Sequence, residues 1–322
     1  MRYALPAALK CWPLDAAWDG NPAATIEWVK SAASWGRRRP EPMIREGRLL
    51  ACLGAIGYGD AVVGLPLSRF DGGFVPMPGA DPDALSEALA QWSSRRAILL
   101  QLCQRPLAAA IQQRIPHVVV RAHDKAPFIS AQDAEGWVAR RGNDLRTTTR
   151  SGRRRLQRDG GEITRVESGH LARIWSELAD VERLGHRRHG HILRAPLVKV
   201  AFAALDHSGK VETWVIRLAG EITAYAITCI SPTHVYIYTT AMRGDMTSYS
   251  LGFVLFESIV IEALRSGRSI NLGPGRSEFK DRFTSDYVPL DDVALLPPAG
   301  RWATRGLRVA VRHKPLSRSV AG

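Results

Sequence analysis

Cysteine is scarce and scattered: four in 322 residues, at positions 11, 52, 103 and 229, with no C-x-x-C pair. That spacing argues against a zinc site and against a disulfide framework. No stretch approaches the ~20 apolar residues that cross a bilayer, and the most apolar run carries Glu257 and Glu262. The opening MRYALPAALKCW has an apolar run too short for the core of a signal peptide, broken by Pro6 and Lys10. A reduced, cytoplasmic, soluble protein is the expectation. There is no G-x-S-x-G elbow, and no cysteine sits in a recognisable nucleophile motif. No internal repeat is visible in the sequence.

Acidic residues are missing from two stretches, and this makes the basicity local. Between Trp137 and Arg158 there are eight arginines (140, 141, 146, 150, 153, 154, 155 and 158) against Asp144 alone. Between Gly300 and Gly322 stand Arg301, Arg305, Arg308, Arg312, Lys314 and Arg318 with no acid. Together these account for the whole net charge of +13, so the rest of the chain is neutral overall. A polyanionic ligand or partner fits such a distribution. Arg146, Arg150, Arg153, Arg154 and Arg158 fall at helical spacing and share one face. They are read either as a solvated surface or as a phosphate-facing ridge.

Enough apolar material is present, 45% of residues, for two domains or one large one. Residues 1–125 read as a mixed α/β unit. It has helices at 24–35, 83–95 and 107–114, and strands at 48–56, 61–67, 98–102 and 117–122, with a Gly/Pro-rich loop at 71–82. Asp124 to Asp133 reads as a linker. Beyond it, 134–158 reads as helix broken near Gly142, 161–167 as strand and 170–184 as helix. A cluster follows, His186-Arg187-Arg188-His189-Gly190-His191. Three histidines so spaced can ligate a metal, but no acidic or sulfur partner stands nearby, and no metal is expected. After a helix at 196–205 the pattern switches to period two: strands at 211–218 and 221–230 joined by Ala219-Gly220, then 234–241.

The most informative stretch is YSLGFVLFESIVIEALRSGRSINLGPGRSEFKDRF, Tyr249 to Phe283. Small residues (Ser248, Ser250, Gly252) open an apolar helix that closes on Arg265-Ser266-Gly267, a cation and then a glycine where a C-cap wants them. A short strand, 269–272, leads to Gly273-Pro274-Gly275 and a polar segment containing Phe279-Lys280. Backbone N–H groups at a helix start suit a phosphate-bearing ligand. The glycine pair and the lysine mark a second place where backbone and cation meet a substrate.

These pieces, in this order, resemble the GNAT acyltransferase superfamily. More closely they resemble the double-GNAT group of CelD-like acetyltransferases and Fem-type aminoacyl transferases. Arg150 to Arg158 (RSGRRRLQR) resembles the basic helix that opens the second domain of such proteins, and 184–192 the H-x-x-R stretch after the next helix. Leu218 to Ala224 resembles the L-x-G-x-x-V-A hairpin. Ser250-Leu251-Gly252 resembles the start of the donor-binding helix, and Leu272 to Lys280 the terminal D-x-G-x-G-x-x-x-Y-K motif. Asn271 stands where Asp is common, Phe279 where Tyr is common, and Ser250 where the family has a proline.

The resemblance implies an α/β (α+β) protein with two GNAT-like mixed-sheet domains in tandem. These are a degenerate one over 1–125, an acyltransferase domain over 134–298, and a basic tail over 299–322. It implies an acyl-CoA co-substrate without metal, with the pyrophosphate held at Tyr249, Ser250, Leu251 and Gly252. The donor's arm would lie along 234–241, where Thr240 sits, and Gly273 and Gly275 would line the site. Lys280 would place a cation beside the donor carbonyl or an acceptor phosphate. A histidine from 186, 189 or 191 would take the acceptor's proton, and Tyr238 would donate to the leaving thiolate. Arg150, Arg154 and Arg188 would bind the anionic parts of a substrate. The acceptor is a small-molecule, saccharide or peptide amine, or a hydroxyl. Two alternatives stand beside this: an aminoacyl-tRNA donor, which the arginine ridge and basic tail favour, and a non-catalytic nucleic-acid-binding protein.

Overall fold

The computed structural model describes residues 81–94, 97–116, 118–185, 193 and 196–295, together with the backbone of strands at 38–45, 48–56 and 61–63. The helix expected at 24–35, the loop at 71–80, the histidine cluster and the basic tail lie outside the described residues. The chain forms two compact units, one of residues 1–126 with 288–322, the other of 127–287.

In the first unit, strands β1 (Arg38–Arg45), β2 (Arg48–Ile56) and β3 (Ala61–Val63) pair antiparallel in succession. Helix α1 (Pro82–Ser93) then crosses over to β4 (Ala97–Gln104), which runs parallel to β3. Asp81 caps α1 by accepting from the N–H groups of Asp83 and Ala84, with proline at the first helical position, as its Asp-Pro start predicts. Helix α2 (Arg105–Arg114) follows. Leu85 and Leu89 of α1, Ile111 of α2 and Ile98 and Leu100 of β4 form the buried core. The sheet closes antiparallel on β11 (Tyr287–Leu295), which brings Val293 and Leu295 into that core.

Two buried aspartates on β11 each meet a cation in this unit. Arg105 donates to both oxygens of Asp291, at 3.1 and 3.0 Å. His123 Nδ1 lies 2.7 Å from Asp292 Oδ2. That hydrogen bond raises the imidazole's pKa, against the opposing effect of burial. A raised folded-state value means the pair's stabilisation is complete below the unfolded value of about 6.5 and is lost as pH climbs through the folded one. The stability difference between wild type and His123→Gln is therefore expected to be largest at acid pH, on the order of 1 kcal/mol after screening. It should fade as pH rises through the raised value, which urea titrations at several pH values would read; a pH-independent difference would remove the ion pair from the account.

Strand β5 (Val118–Ile129) carries the chain from one unit into the other. The linker expected at 124–133 is thus corrected: most of it is strand. Its charged start, Asp124-Lys125, and Pro127 hide the fact that Phe128 and Ile129 pair with a strand 140 residues away. Strand propensity is decided by partners as much as by residues.

The second unit repeats the plan of the first. Helices α3 (Ala134–Arg140) and α4 (Asn143–Arg158) are separated at Gly142, as read from sequence. Strand β6 (Glu162–Arg165) and helices α5 (Leu171–Leu184) and α6 (Pro196–His207) come next. Then β7 (Val211–Leu218), β8 (Glu221–Ile230) and β9 (His234–Met242) form an antiparallel meander. The β7–β8 turn places Ala219 at φ 51° and Gly220 at φ 82°, the left-handed pair that matches a two-residue hairpin to strand twist. A 3₁₀ segment, Gly244–Tyr249, leads into helix α7 (Leu251–Arg265), which returns to β10 (Ser269–Asn271), parallel to β9. A short helix α8 (Glu278–Asp281) precedes β11. The sheet order is β5-β10-β9-β8-β7-β6. Both units therefore share a three-stranded meander, a crossover helix, a parallel strand and an antiparallel closing strand. This is a tandem of two mixed-sheet α/β domains.

Helices α5 and α6 cover one face of the second sheet and α4 and α7 the other. The crossing of α4 on α7 is unusually close at Gly152. A Cβ there would lie 2.5 Å from the backbone oxygen of Tyr249 and 2.7 Å from Val254 Cγ2. Neither atom can yield without moving the start of α7. Gly152→Ala is expected to cost about 1–3 kcal/mol through this clash, even though alanine favours a helix by about 1 kcal/mol. A chemical-denaturation midpoint no lower than wild type would show that α7 can shift to accommodate it.

Candidate active site

Strands β9 and β10 pair over only three residues, ending at Asn271 opposite Tyr236. Beyond that point β9 runs on for six residues to Met242 while β10 turns away, so the two strands part. Two devices turn β10. Asn271 Oδ1 accepts from the N–H of Gly273 at 2.8 Å, the acceptor role that an aspartate would also fill. Gly273 and Gly275 sit at φ 80° and 91°. At Gly273 a Cβ would come within 3.2 Å of the Ile237 backbone oxygen, so glycine meets both a left-handed φ and a tight approach to β9.

Lys280 locks this turn. Its Nζ donates to the backbone oxygens of Gly273, Pro274 and Gly275 at 2.9, 3.0 and 3.1 Å. Its neighbour Phe279 packs its ring 4.6 Å from Phe253 and 4.8 Å, edge-on, from Phe256. Helix α8 is thus bolted at once to the end of β10 and to the first turns of α7.

The start of α7 lies beside the gap. Ser250 adopts the left-handed conformation, φ 53° and ψ 37°, and its backbone oxygen accepts from Phe253 and Val254. The N–H groups of Leu251 and Gly252 have no intrahelical acceptor available, as at any helix start. A Cβ on Gly252 would have ordinary room, 3.5 Å from Phe279 and 3.7 Å from Met242 Sδ. Tyr249 is turned aside: its hydroxyl donates to Asp159 Oδ2 at 2.7 Å. Asp159, which also accepts from Arg158, is held down to about 2, first by Arg158 and then by Tyr249.

The structure gathers one part of the expected site and disperses another. Tyr249, Ser250, Leu251, Gly252, Gly273, Gly275 and Lys280 surround the parting of β9 and β10, linked through Phe279, and Thr240 lies on the free run of β9. Tyr238 alternates to the opposite face from Ile237, and its ring lies 4.5 Å from Phe202 of α6. His186, His189, Arg188 and His191 lie outside the described residues, but both stems of their segment are anchored. At one end a Cβ on Gly185 would lie 2.9 Å from the backbone oxygen of Met242. At the other, Leu193 donates its N–H to Glu182 Oε2 at 3.0 Å and accepts from Trp175 Nε1 at 2.9 Å. Glu182 is itself held by Tyr225 at 2.8 Å. The stem at Gly185 thus stands beside the end of β9.

The arginine ridge divides. Arg153 turns inward, donating through Nε to Glu257 Oε2 at 2.9 Å and through Nη2 to Ser258 at 2.8 Å. Arg141 meets the other Glu257 oxygen, which also accepts from Thr149 at 2.8 Å. Arg146 donates to the Ala139 backbone oxygen and Arg155 to that of Ser248. Arg150 and Arg154 have no side-chain partner among the described residues, and they line a separate cavity between α4 and α7. Glu257, 3% exposed in an otherwise apolar helix, was not singled out from the sequence as a structural acid. The signal was its place on the helix's apolar side. The two described cysteines are buried and their thiols pushed up, Cys103 to about 12 by burial and then by Asp291 and Asp292, so neither is a nucleophile.

Residues 143–281 match the family model described as Acetyltransferase (GNAT) domain. The second unit is a GNAT domain. Several solved structures share the fold along nearly the whole chain. L-PGS from Bacillus licheniformis has a TM-score of 0.62 at 13% identity, covering 95% of this chain and 96% of that one. A C-terminal DUF2156 domain from Agrobacterium fabrum has a TM-score of 0.60 at 16% identity, covering 90% and 92%. FemX has a TM-score of 0.59 at 11% identity, covering 90% and 94%. At such identities the likeness is one of fold, and it supports the two-domain arrangement. No curated protein sequence matches the chain. Among the described residues no helix is long and apolar enough to cross a membrane, and no group of three or more candidate metal ligands occurs.

Proposed function

We propose that the protein transfers an acyl group from acyl-CoA to an amine, by direct attack on the thioester. The observation that carries this reading is the parting of β9 and β10 beside the open start of α7. A GNAT domain that keeps this gap has a slot for an extended donor arm along Thr240 and β9, with N–H groups of Leu251 and Gly252 at its end for a diphosphate. In this reading the acceptor nitrogen attacks the acyl carbonyl, the C–N bond forms, and the C–S bond breaks. His186 or His189 accepts the amine's proton, and the sulfur departs as the CoA thiolate, which takes its proton from water. Lys280 contributes a fixed positive charge behind the Gly273–Gly275 turn. Much of the rate then comes from holding the two substrates together and from donors for the developing oxyanion. In this reading Arg188 meets an anionic part of the acceptor. A cytoplasmic protein with two domains, the second catalytic and the first degenerate, completes the proposal.

The second reading keeps the fold and the slot but replaces the donor with aminoacyl-tRNA. It is favoured by the whole-length likeness to FemX and by the arginines of α4. Native mass spectrometry of freshly purified protein separates the two. A co-purifying CoA species, with tRNA binding that is weak or insensitive to salt, supports the first. RNA in the complex, with gel-shift affinity falling steeply between two salt concentrations, supports the second.

A further inference from the structure

The cavity between α4 and α7 is not the slot described above. It is walled by α7 from Glu257 onward to Arg265, roughly 9–21 Å along the helix from the phosphate turn at 1.5 Å per residue. Its volume of about 650 Å³ lies within the range of small-ligand sites. Arg141, Arg150, Arg153 and Arg154 line it, and Arg141 and Arg153 share the single negative charge of Glu257. These cations stand close enough to disfavour one another: burial lowers the pKa of Arg141, and Arg146, Arg153 and Arg150 lower it further.

Two further features make it more than a basic groove. Trp214, from β7, lines it and carries an indole N–H that is buried without a partner among the described residues. Such an orphan donor is destabilising unless a ligand or water meets it. Glu262, from α7, also lines the cavity, and its carboxylate has no partner among the described residues. Arginines with unspent donors, an indole, apolar contacts from Ile163 and Ile261, and a lone carboxylate form a mixed recognition set. Phosphate oxygens suit the guanidinium groups, a flat ring suits the indole, and an amino group suits Glu262.

We propose that this cavity is a second ligand site, taking a nucleoside diphosphate or an organic diphosphate of that size. Its phosphates lie on Arg150 and Arg154 and its base lies between Trp214 and Glu262. The inference does not depend on the identity of the acyl donor.

GDP is the probe, because its base carries N–H groups for Glu262 and it is not a fragment of CoA. Calorimetry on the full chain at 100 mM salt is expected to show binding, weakened about tenfold or more in Arg150→Gln/Arg154→Gln. Arg183→Gln, which removes a charge from an exposed arginine paired with Asp180, controls for net charge and should leave GDP binding unchanged. Gly252→Asp should also leave it unchanged, so failure here and failure of the donor slot are told apart. Absence of GDP binding at millimolar concentration, or equal affinity in the double variant, overturns the proposal. So does a double variant that loses tRNA retention on filters while GDP affinity stays the same; the arginines would then be an RNA footing.

Discussion

Glu257→Ala is expected to lower the stability of the second unit by about 3–5 kcal/mol, the range for removing one partner of a buried ion pair. The carboxylate is 3% exposed, accepts hydrogen bonds from Arg153 and Thr149, and forms an ion pair with Arg141. Truncation leaves two guanidinium groups on the apolar flank of α7 with nothing to neutralise them, and one hydroxyl without its acceptor. The arginines' escape routes differ. Arg153 keeps Ser258 and is more than one-third exposed, whereas the Arg141 side chain is 11% exposed. Most of the loss therefore falls on Arg141. Total domain stability is commonly about 5–15 kcal/mol, so the variant should be close to unfolding at room temperature, visible as a large drop in urea midpoint. A triple replacement, Glu257→Leu with Arg141→Met and Arg153→Met, should recover most of the loss, because a packed apolar set of similar volume is often neutral or better. If the single variant unfolds at the wild-type midpoint, water reaches the cluster and its role in joining α4 to α7 is minor.

This cluster also shows where sequence reasoning ends. Spacing along α4 placed its arginines on a helix correctly, but helical spacing says only which residues share a side. Whether that side meets water, a ligand or a buried carboxylate depends on a residue about a hundred positions away. The tight crossing at Gly152 was hidden for the same reason: only the nearby backbone of Tyr249, about a hundred positions away, makes this glycine a spacer. By contrast, features set by neighbouring residues were legible. The Ala219-Gly220 hairpin, the Asp81-Pro82 helix start, the break at Gly142 and the glycine turn after β10 all rest on local φ preferences or caps. Phe279-Lys280 falls between the two. The motif falls at the turn after β10, and the lysine's three carbonyl partners and the phenylalanine's ring cluster show a bolt between β10 and α7 that spacing alone does not reveal. The second half of strand β5 was read as linker because its pairing with β10 is entirely long-range.

Gly252→Asp is expected to abolish acetyl-CoA binding, by at least about 100-fold, while leaving the protein as stable as wild type or slightly more so. The two halves of that expectation have one cause. A Cβ at this position meets nothing closer than 3.5 Å, so the side chain is accommodated without moving Phe279 or Met242. A carboxylate in the first turn of a helix favours the macrodipole by about 0.3–1 kcal/mol. Under the proposed function the same carboxylate takes the place of the donor's diphosphate and repels it, and a 100-fold loss corresponds to about 2.7 kcal/mol. Gly252→Ala separates bulk from charge: it should fold and keep most of the affinity. Calorimetry with acetyl-CoA, beside a thermal melt of each variant, reads both quantities. A stable aspartate variant with wild-type affinity would mean that the diphosphate lies elsewhere and that the start of α7 is only a helix cap. A variant that melts early would mean that the turn is more crowded than its contacts indicate. Only stability kept together with affinity lost matches a helix start that holds an anion through its backbone, and that pairing would tie the GNAT domain's open strands to a thioester donor.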